Sequence, residues 1–100
     1  VEVDAPPFHL EADLVIKALG FDPEDFPALF AAPDLAVTRL GTLKVNHKTL
    51  MTSIPGVFAA GDAMRGASLV VWAIRDGRDA AAGMHAWIEQ ESAAFALAAE

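Results

Sequence analysis

The uncharged run Val57-Phe58-Ala59-Ala60 ends in Gly61-Asp62, and a helical periodicity opens shortly after it, near Ala67 and Ser68. These residue types in this order suit one kind of chemistry, the holding of a polar ligand at the end of a strand. Gly61 has no Cβ, so a ligand can approach its backbone closely. The Asp62 carboxylate is an acceptor for a ligand hydroxyl, such as that of a sugar or a sugar alcohol. The first amides of the following helix have no intrahelical acceptor, and with the positive end of the helix dipole they favour negative charge developing on a ligand. A Gly-Asp after a strand also makes a plain turn with the aspartate capping the next helix, and the dipeptide alone favours that simpler role.

Several elements must position these residues. Residues 8–10 read as extended, and residues 12–20 (ADLVIKALG) form an aliphatic run ending at Gly20, the pattern of a largely buried strand. Asp22 before Pro23 suits the cap of a short helical turn with Glu24 and Asp25 in its first turn, kept short by Pro27 and Pro33. Residues 35–50 read as a short β-meander: LAVTRL, a turn at Gly41, TLKVN, and a second turn at His47-Lys48. The lack of charge over residues 57–60 predicts a strand covered on both faces.

From about Ala67, the residues Val70, Ile74, Gly77, Ala81, Met84 and Ile88 recur at helical spacing and form one face, with Arg75, Arg78, Asp79 and Glu89 opposite. Gly77 within this helix costs on the order of 1 kcal/mol relative to alanine, so a close approach to another backbone is expected there. The alanine-rich residues 91–100 either prolong the helix or fray. A strand delivering its carboxyl end to a helix N-terminus is the place where open α/β sheets bind ligands.

Composition narrows the function classes. A hundred residues, 54% of them hydrophobic, make one modest core and not two domains. A net charge of -7 with scattered cations argues against a nucleic-acid surface, which needs clustered Lys and Arg. No run is long and apolar enough for a membrane span, and no signal peptide is indicated. The absence of cysteine excludes thiol redox chemistry and cysteine-ligated clusters within this segment and fits a cytoplasmic location. The missing initiator Met points to a piece of a longer polypeptide.

Other residues read more simply. Trp72 and Trp87 lie within the helical register as packing residues. His9, His47 and His85 have no partners at metal-ligand spacing, so no metal site is expected. Glu24, Asp25 and Asp34 suit a solvated face or helix caps better than acid–base catalysis, and no catalytic acid, base or nucleophile is assigned. The run Arg75-Asp76-Gly77-Arg78-Asp79 suits pairing within the helix, worth tenths of a kcal/mol. Arg65 reads as a solvated loop residue beside the Gly-Asp turn, with a cofactor or partner contact as the alternative.

The order of the whole stretch adds a resemblance. Thr52-x-x-x-Gly56-Val57-Phe58-Ala59-Ala60-Gly61-Asp62 resembles the second FAD-binding motif of the pyridine-nucleotide-disulfide oxidoreductase superfamily, and GASLVVWAIRDGRDAA from Gly66 resembles, more narrowly, the small (beta) subunit family of NADPH-dependent glutamate synthase. The upstream ADLVIKALGF is similar to that subunit's return from its NADPH domain to its FAD domain. The likeness runs from about Glu11 to Ile88.

That resemblance implies an α/β fold, an incomplete FAD-binding Rossmann-like (ββα) domain with a short β-meander and a long C-terminal helix. It implies that residues 1–12 end an inserted NADPH-domain region, that residues 13–90 are the FAD-domain return segment, and that residues 91–100 are a tail. Asp62 would bind the ribityl chain of FAD, Gly61 would give it room, and Leu69 and Val70, with Ser68 beside them at the helix start, would turn backbone amides to the flavin N1–C2=O region. Gly20 would let the chain pass near the dinucleotide. The implied activity is electron transfer from NADPH through FAD and iron–sulfur clusters to a large subunit that makes glutamate.

This chain departs from the family pattern in having no Gly-x-Gly-x-x-Gly and no cluster cysteines. NADPH, the FAD pyrophosphate and the clusters would therefore be bound upstream, with the other half of the FAD domain as the immediate partner. The segment alone is expected to be inactive. A related flavoprotein with another electron acceptor, or an isolated α/β fragment that self-associates through uncovered apolar surface, are the alternatives.

Overall fold

A computed structural model describes residues 5–98. The first helix, α1 (Phe26–Leu29), starts behind Asp25, whose Oδ1 accepts the Ala28 amide at 3.2 Å. The cap is therefore Asp25 and not the expected Asp22. Pro27 explains the shift: it has no N–H to donate and fits only in a helix's first turn, which places the start at Phe26.

Where a three-stranded meander is expected, the described residues contain two single antiparallel bridges, Val37 with Leu43 and Met51 with Phe58. Around the first, the Lys44 amide donates to the Ala36 carbonyl at 2.9 Å and the Thr38 amide to Thr42 at 2.7 Å, with the reversal at residues 39–41. Around the second, the Ala59 amide donates to Leu50 at 3.0 Å and the Thr52 amide to Val57 at 2.8 Å. Ser53 fastens the two together, because its Oγ accepts from the Ala36 amide and donates to the Asp34 carbonyl. Pro55-Gly56 turns the second hairpin: the Val57 amide reaches the Ile54 carbonyl at 3.1 Å, and Gly56 has φ 77, the left-handed value a type II turn requires at that position.

Residues 12–20 do not form the expected strand. Leu14, Val15, Ile16 and Leu19 are between 76% and 84% exposed. A strand buried on both faces needs a neighbour on each edge and a layer above and below, and among the described residues the segment meets none of them. The run at 57–60 likewise pairs only at Phe58, with Ala59 buried and Val57 42% exposed.

After Gly61 comes a single turn of helix, α2 (Asp62–Arg65), and then the 29-residue α3 (Val70–Ala98). The alanine-rich residues thus continue α3 as far as Ala98. A helix of that length runs about 43 Å. The core is small: Leu35, Leu43 and Ala59, with Phe26, Ile54 and Met64 packed on it. Leu43 is tied to α2 by its amide, which donates to the Ala63 carbonyl at 2.7 Å.

The face that α3 turns to the rest of the chain is a stripe of small residues. Ala80 is buried, Ala73 and Gly83 are half-buried, and Asp76 lies among them. At Gly83 an added Cβ would overlap the Thr49 carbonyl oxygen, so the close approach expected at Gly77 occurs here instead. Gly77 itself, beyond its own stretch of helix backbone, has no described atom within 4 Å of where its Cβ would stand. The large apolar stripe is left open, with Val70 73%, Ile74 60% and Ile88 55% exposed. The total accessible surface of 8711 Å² exceeds the roughly 5,400 Å² of a closed globule of this mass. Among the described residues no helix is long and apolar enough to cross a membrane.

Candidate functional site

The turn between the last hairpin and α3 carries the residues singled out by their chemistry. Gly61 is buried with φ 62 and ψ -144, and its carbonyl accepts the amides of Met64 at 3.1 Å and Arg65 at 2.9 Å, which closes α2. The Cβ of any other residue at 61 would meet the Ala73 Cβ at 3.3 Å. Glycine is therefore required here by a left-handed backbone and by contact with α3, a reason independent of any ligand.

Asp62 is the first residue of α2 and is exposed, and no hydrogen bond engages its carboxylate among the described residues. It caps neither α2, whose cap is Gly61 without a side chain, nor α3. Asp62 lines a cavity of about 190 Å³ together with Phe21, Asp22, Glu24, Gly66 and Ala67. Three acidic residues among its lining disfavour phosphate and offer acceptors to hydroxyls, while Phe21, Pro23, Phe26 and Ala63 make the rest of the wall largely apolar. Cavities that enclose a drug-sized ligand start at about 300 Å³, so this one is too small to enclose a whole ligand of that size.

Past Gly66, the amides of residues 67–71 donate to no acceptor among the described residues, and the first bonds of the helix are those of Trp72 and Ala73 to the Leu69 carbonyl, at 2.9 and 3.3 Å. Five successive exposed donors, including those of Ser68, Leu69 and Val70, thus stand at the positive end of a long helix. Asp62 shares its cavity with Ala67, whereas Ser68, Leu69 and Val70 follow next in the chain and do not line it. Gly20, with φ 88 and nothing within 4 Å of its missing side chain, stands one residue before Phe21 at the cavity wall.

Arg65 is not the solvated loop residue expected. Its Nε donates to Asp76 Oδ2 at 2.9 Å and its Nη2 to Asp76 Oδ1 at 2.6 Å, a two-pronged pair with the Asp76 side chain 5% exposed and that of Arg65 36%. The Trp72 ring centroid lies 5.2 Å from the Arg65 Cζ and 5.6 Å from the Arg75 Cζ. The Arg65 hydrogen bonds hold the Asp76 carboxyl below its ordinary value against the opposing effect of desolvation, with lesser help from the Gly61 amide and the Arg75 charge. The Arg65 guanidinium is held above its ordinary value by the same pair.

Asp76 was expected to pair within its own helix, as Arg75 does with Asp79 at 3.6 Å. The signal that identifies it is an acidic residue interrupting the small-residue series Ala73, Ala80, Gly83. Trp87 packs as expected, its ring 3.0 Å from where a Gly56 Cβ would stand. Among the described residues no three His, Cys, Asp or Glu side chains gather as metal ligands.

The family model for pyridine nucleotide-disulphide oxidoreductases matches residues 3–77, which contain this turn. The chain is 62% identical over 99 residues to the glutamate synthase (NADPH) small chain of Azospirillum brasilense, a match covering 98% of this chain and 20% of that protein. It is 42% identical over 93 residues to the glutamate synthase (NADPH) small chain of Mycobacterium tuberculosis, covering 93% and 19%. It is also 37% identical over 90 residues to the NADP(+)-dependent formate dehydrogenase subunit beta of Moorella thermoacetica, covering 90% and 12%. The chain thus spans about a fifth of the length of the glutamate synthase relatives. Since the family model takes in both hairpins, the Gly61-Asp62 turn and the first turns of α3, the chain belongs to the pyridine nucleotide-disulphide oxidoreductase family.

Proposed function

We propose that this chain supplies one side of the FAD site in a flavin-dependent NADPH oxidoreductase of the glutamate synthase small-chain type. The observation that carries the reading is an unengaged carboxylate at Asp62 followed, within the same short stretch of chain, by the five amides of residues 67–71 that donate to no acceptor among the described residues. The Asp62 carboxylate would accept hydrogen bonds from ribityl hydroxyls, and the acidic residues Asp22 and Glu24 beside it disfavour a pyrophosphate in the same cavity. The amides of Leu69 and Val70 would be the donors held toward the flavin, and fixed donors of that kind would stabilise negative charge there. When bound, FAD supplies hydride acceptance from NADPH and onward electron transfer.

The residues present fit only part of the larger assembly. With no Gly-x-Gly-x-x-Gly and no cysteine, the chain offers neither a pyrophosphate cradle nor cluster ligands, so NADPH and iron–sulfur clusters belong to other parts of the protein. In this reading residues 1–12 close the NADPH region, residues 13–90 return to the FAD domain, and the end of α3 is a tail. The partners are the remainder of the FAD domain and, by likeness to relatives named as small chains, a large subunit.

In the complete polypeptide, Asp62→Ala is expected to lower the flavin retained per protein after gel filtration. Unchanged flavin content and unchanged NADPH oxidation overturn the assignment. The exposed stripe of Val70, Ile74 and Ile88 favours a second reading for the hundred-residue chain by itself, self-association without catalysis. Added FAD that fails to co-elute with the isolated chain, together with an oligomeric elution volume, supports that second reading.

A further inference from the structure

We propose that the Arg65–Asp76 pair is a positioning device that holds Asp62 at a fixed place relative to the free amides of residues 67–71. The flavin consequence rests on the function proposed above. The geometric case stands apart from it. Residues 67–69 link α2 to α3 without donating a backbone hydrogen bond among the described residues, so the link alone does not set the distance between its ends. Two contacts do. Gly61 lies against Ala73, where a Cβ would stand 3.3 Å from the Ala73 Cβ, and Arg65 grips Asp76 through both carboxylate oxygens. Ala73 and Asp76 are one helical turn apart on the same face of α3.

The turn is thereby pinned at its first and its last parts, with Asp62 between them. A rigid guanidinium fork fixes orientation as well as distance, which a lysine ammonium does not. Trp72 lies beside the Arg65 guanidinium from within α3 and further limits the side chain's freedom. Neither Arg65 nor Asp76 lines the 190 Å³ cavity beside Asp62, so their influence on a ligand there passes through the turn.

The test compares Asp76→Asn, Asp76→Glu and Arg65→Lys with the natural sequence by two measurements. In the first, amide hydrogen exchange in the chain is read at Met64, Arg65 and Gly66, whose donors bond within α2, with Ala59 in the neighbouring hairpin as the reference. Faster exchange at the three α2 amides with Ala59 unchanged is the expected result for Asp76→Asn and Arg65→Lys. Unchanged exchange at these amides overturns the positioning role, whether or not flavin binds.

In the second, the FAD-loaded complete protein is examined for flavin affinity, visible band shape and reduction midpoint. Asp76→Asn is expected to weaken FAD binding by about tenfold to a hundredfold, the usual cost of losing a group that orients a binding residue, and to shift the midpoint. Asp76→Glu, which keeps the charge, is expected to restore both in part. Loss of folded protein with an unaltered spectrum and midpoint in the fraction that binds flavin means a merely structural pair and overturns the proposal. A natural-sequence protein that binds no FAD overturns the flavin reading, and the exchange measurement then decides the positioning role by itself.

Discussion

Gly83 of α3 faces the Thr49 carbonyl so closely that no side chain fits between them, and the Phe58 ring edge would be 3.3 Å from any Cβ there. The long helix is held against the second hairpin at this point because backbone can approach backbone. Gly83→Ala is expected to push α3 away and lower stability by about 1–3 kcal/mol, the usual cost of overpacking. A reduced denaturation midpoint in urea checks it, and an unchanged midpoint would show that the approach is looser than described.

Gly77, six residues earlier in the same helix, should behave in the opposite way. Beyond its own stretch of helix backbone, no described atom lies within 4 Å of its absent side chain, and the position is exposed. Gly77→Ala is therefore expected to raise stability by about 1 kcal/mol through helix propensity alone. Circular dichroism at 222 nm, followed through denaturant, gives the comparison with the Gly83 substitution in the same helix.

At Gly56 two requirements coincide, a φ of 77 and a Trp87 ring atom 3.0 Å from the Cβ position. Gly56→Ala should cost about 1–2 kcal/mol from the left-handed backbone, before any displacement of the indole. A change in tryptophan emission together with the lost stability would report both effects, whereas lost stability with unaltered emission would assign the cost to the turn alone.

The Arg65–Asp76 pair predicts a pH dependence with a definite sign. The Asp76 carboxyl titrates below its ordinary value of 3.8 in the folded protein, so the native state binds fewer protons than the unfolded chain in that region. Its contribution to stability is complete above the ordinary value and is lost as pH falls from there through the lower folded value. Asp76→Asn should remove this part of the acid limb while leaving the rest of the profile in place. Parallel acid unfolding curves for the two proteins would contradict the assignment.

Much of this protein follows from its sequence alone. The Gly61-Asp62 turn is legible because glycine, aspartate and an uncharged run are local features, and the continuity of α3 follows from periodicity over many turns, whereas its start lies at Val70 and not near Ala67. The position of α1 was missed by three residues, since Asp22-Pro23 and Asp25-Phe26-Pro27 both look like helix starts and only hydrogen bonding of the Ala28 amide chooses between them.

Tertiary structure decided what depends on partners distant in the chain. Residues 12–20 have a strand's composition, yet a strand exists only with neighbours to pair with, and none pairs with them among the described residues. Periodicity ranks the large apolar residues Val70, Ile74 and Ile88 as the face of α3 to bury, whereas close packing on the hairpin selected Ala73, Ala80 and Gly83, because small residues let backbones approach. Arg65 and Asp76, eleven positions apart, look like two ordinary surface charges. Only the fold of the intervening loop brings them together, and an ion pair of that kind leaves no periodic trace in a sequence.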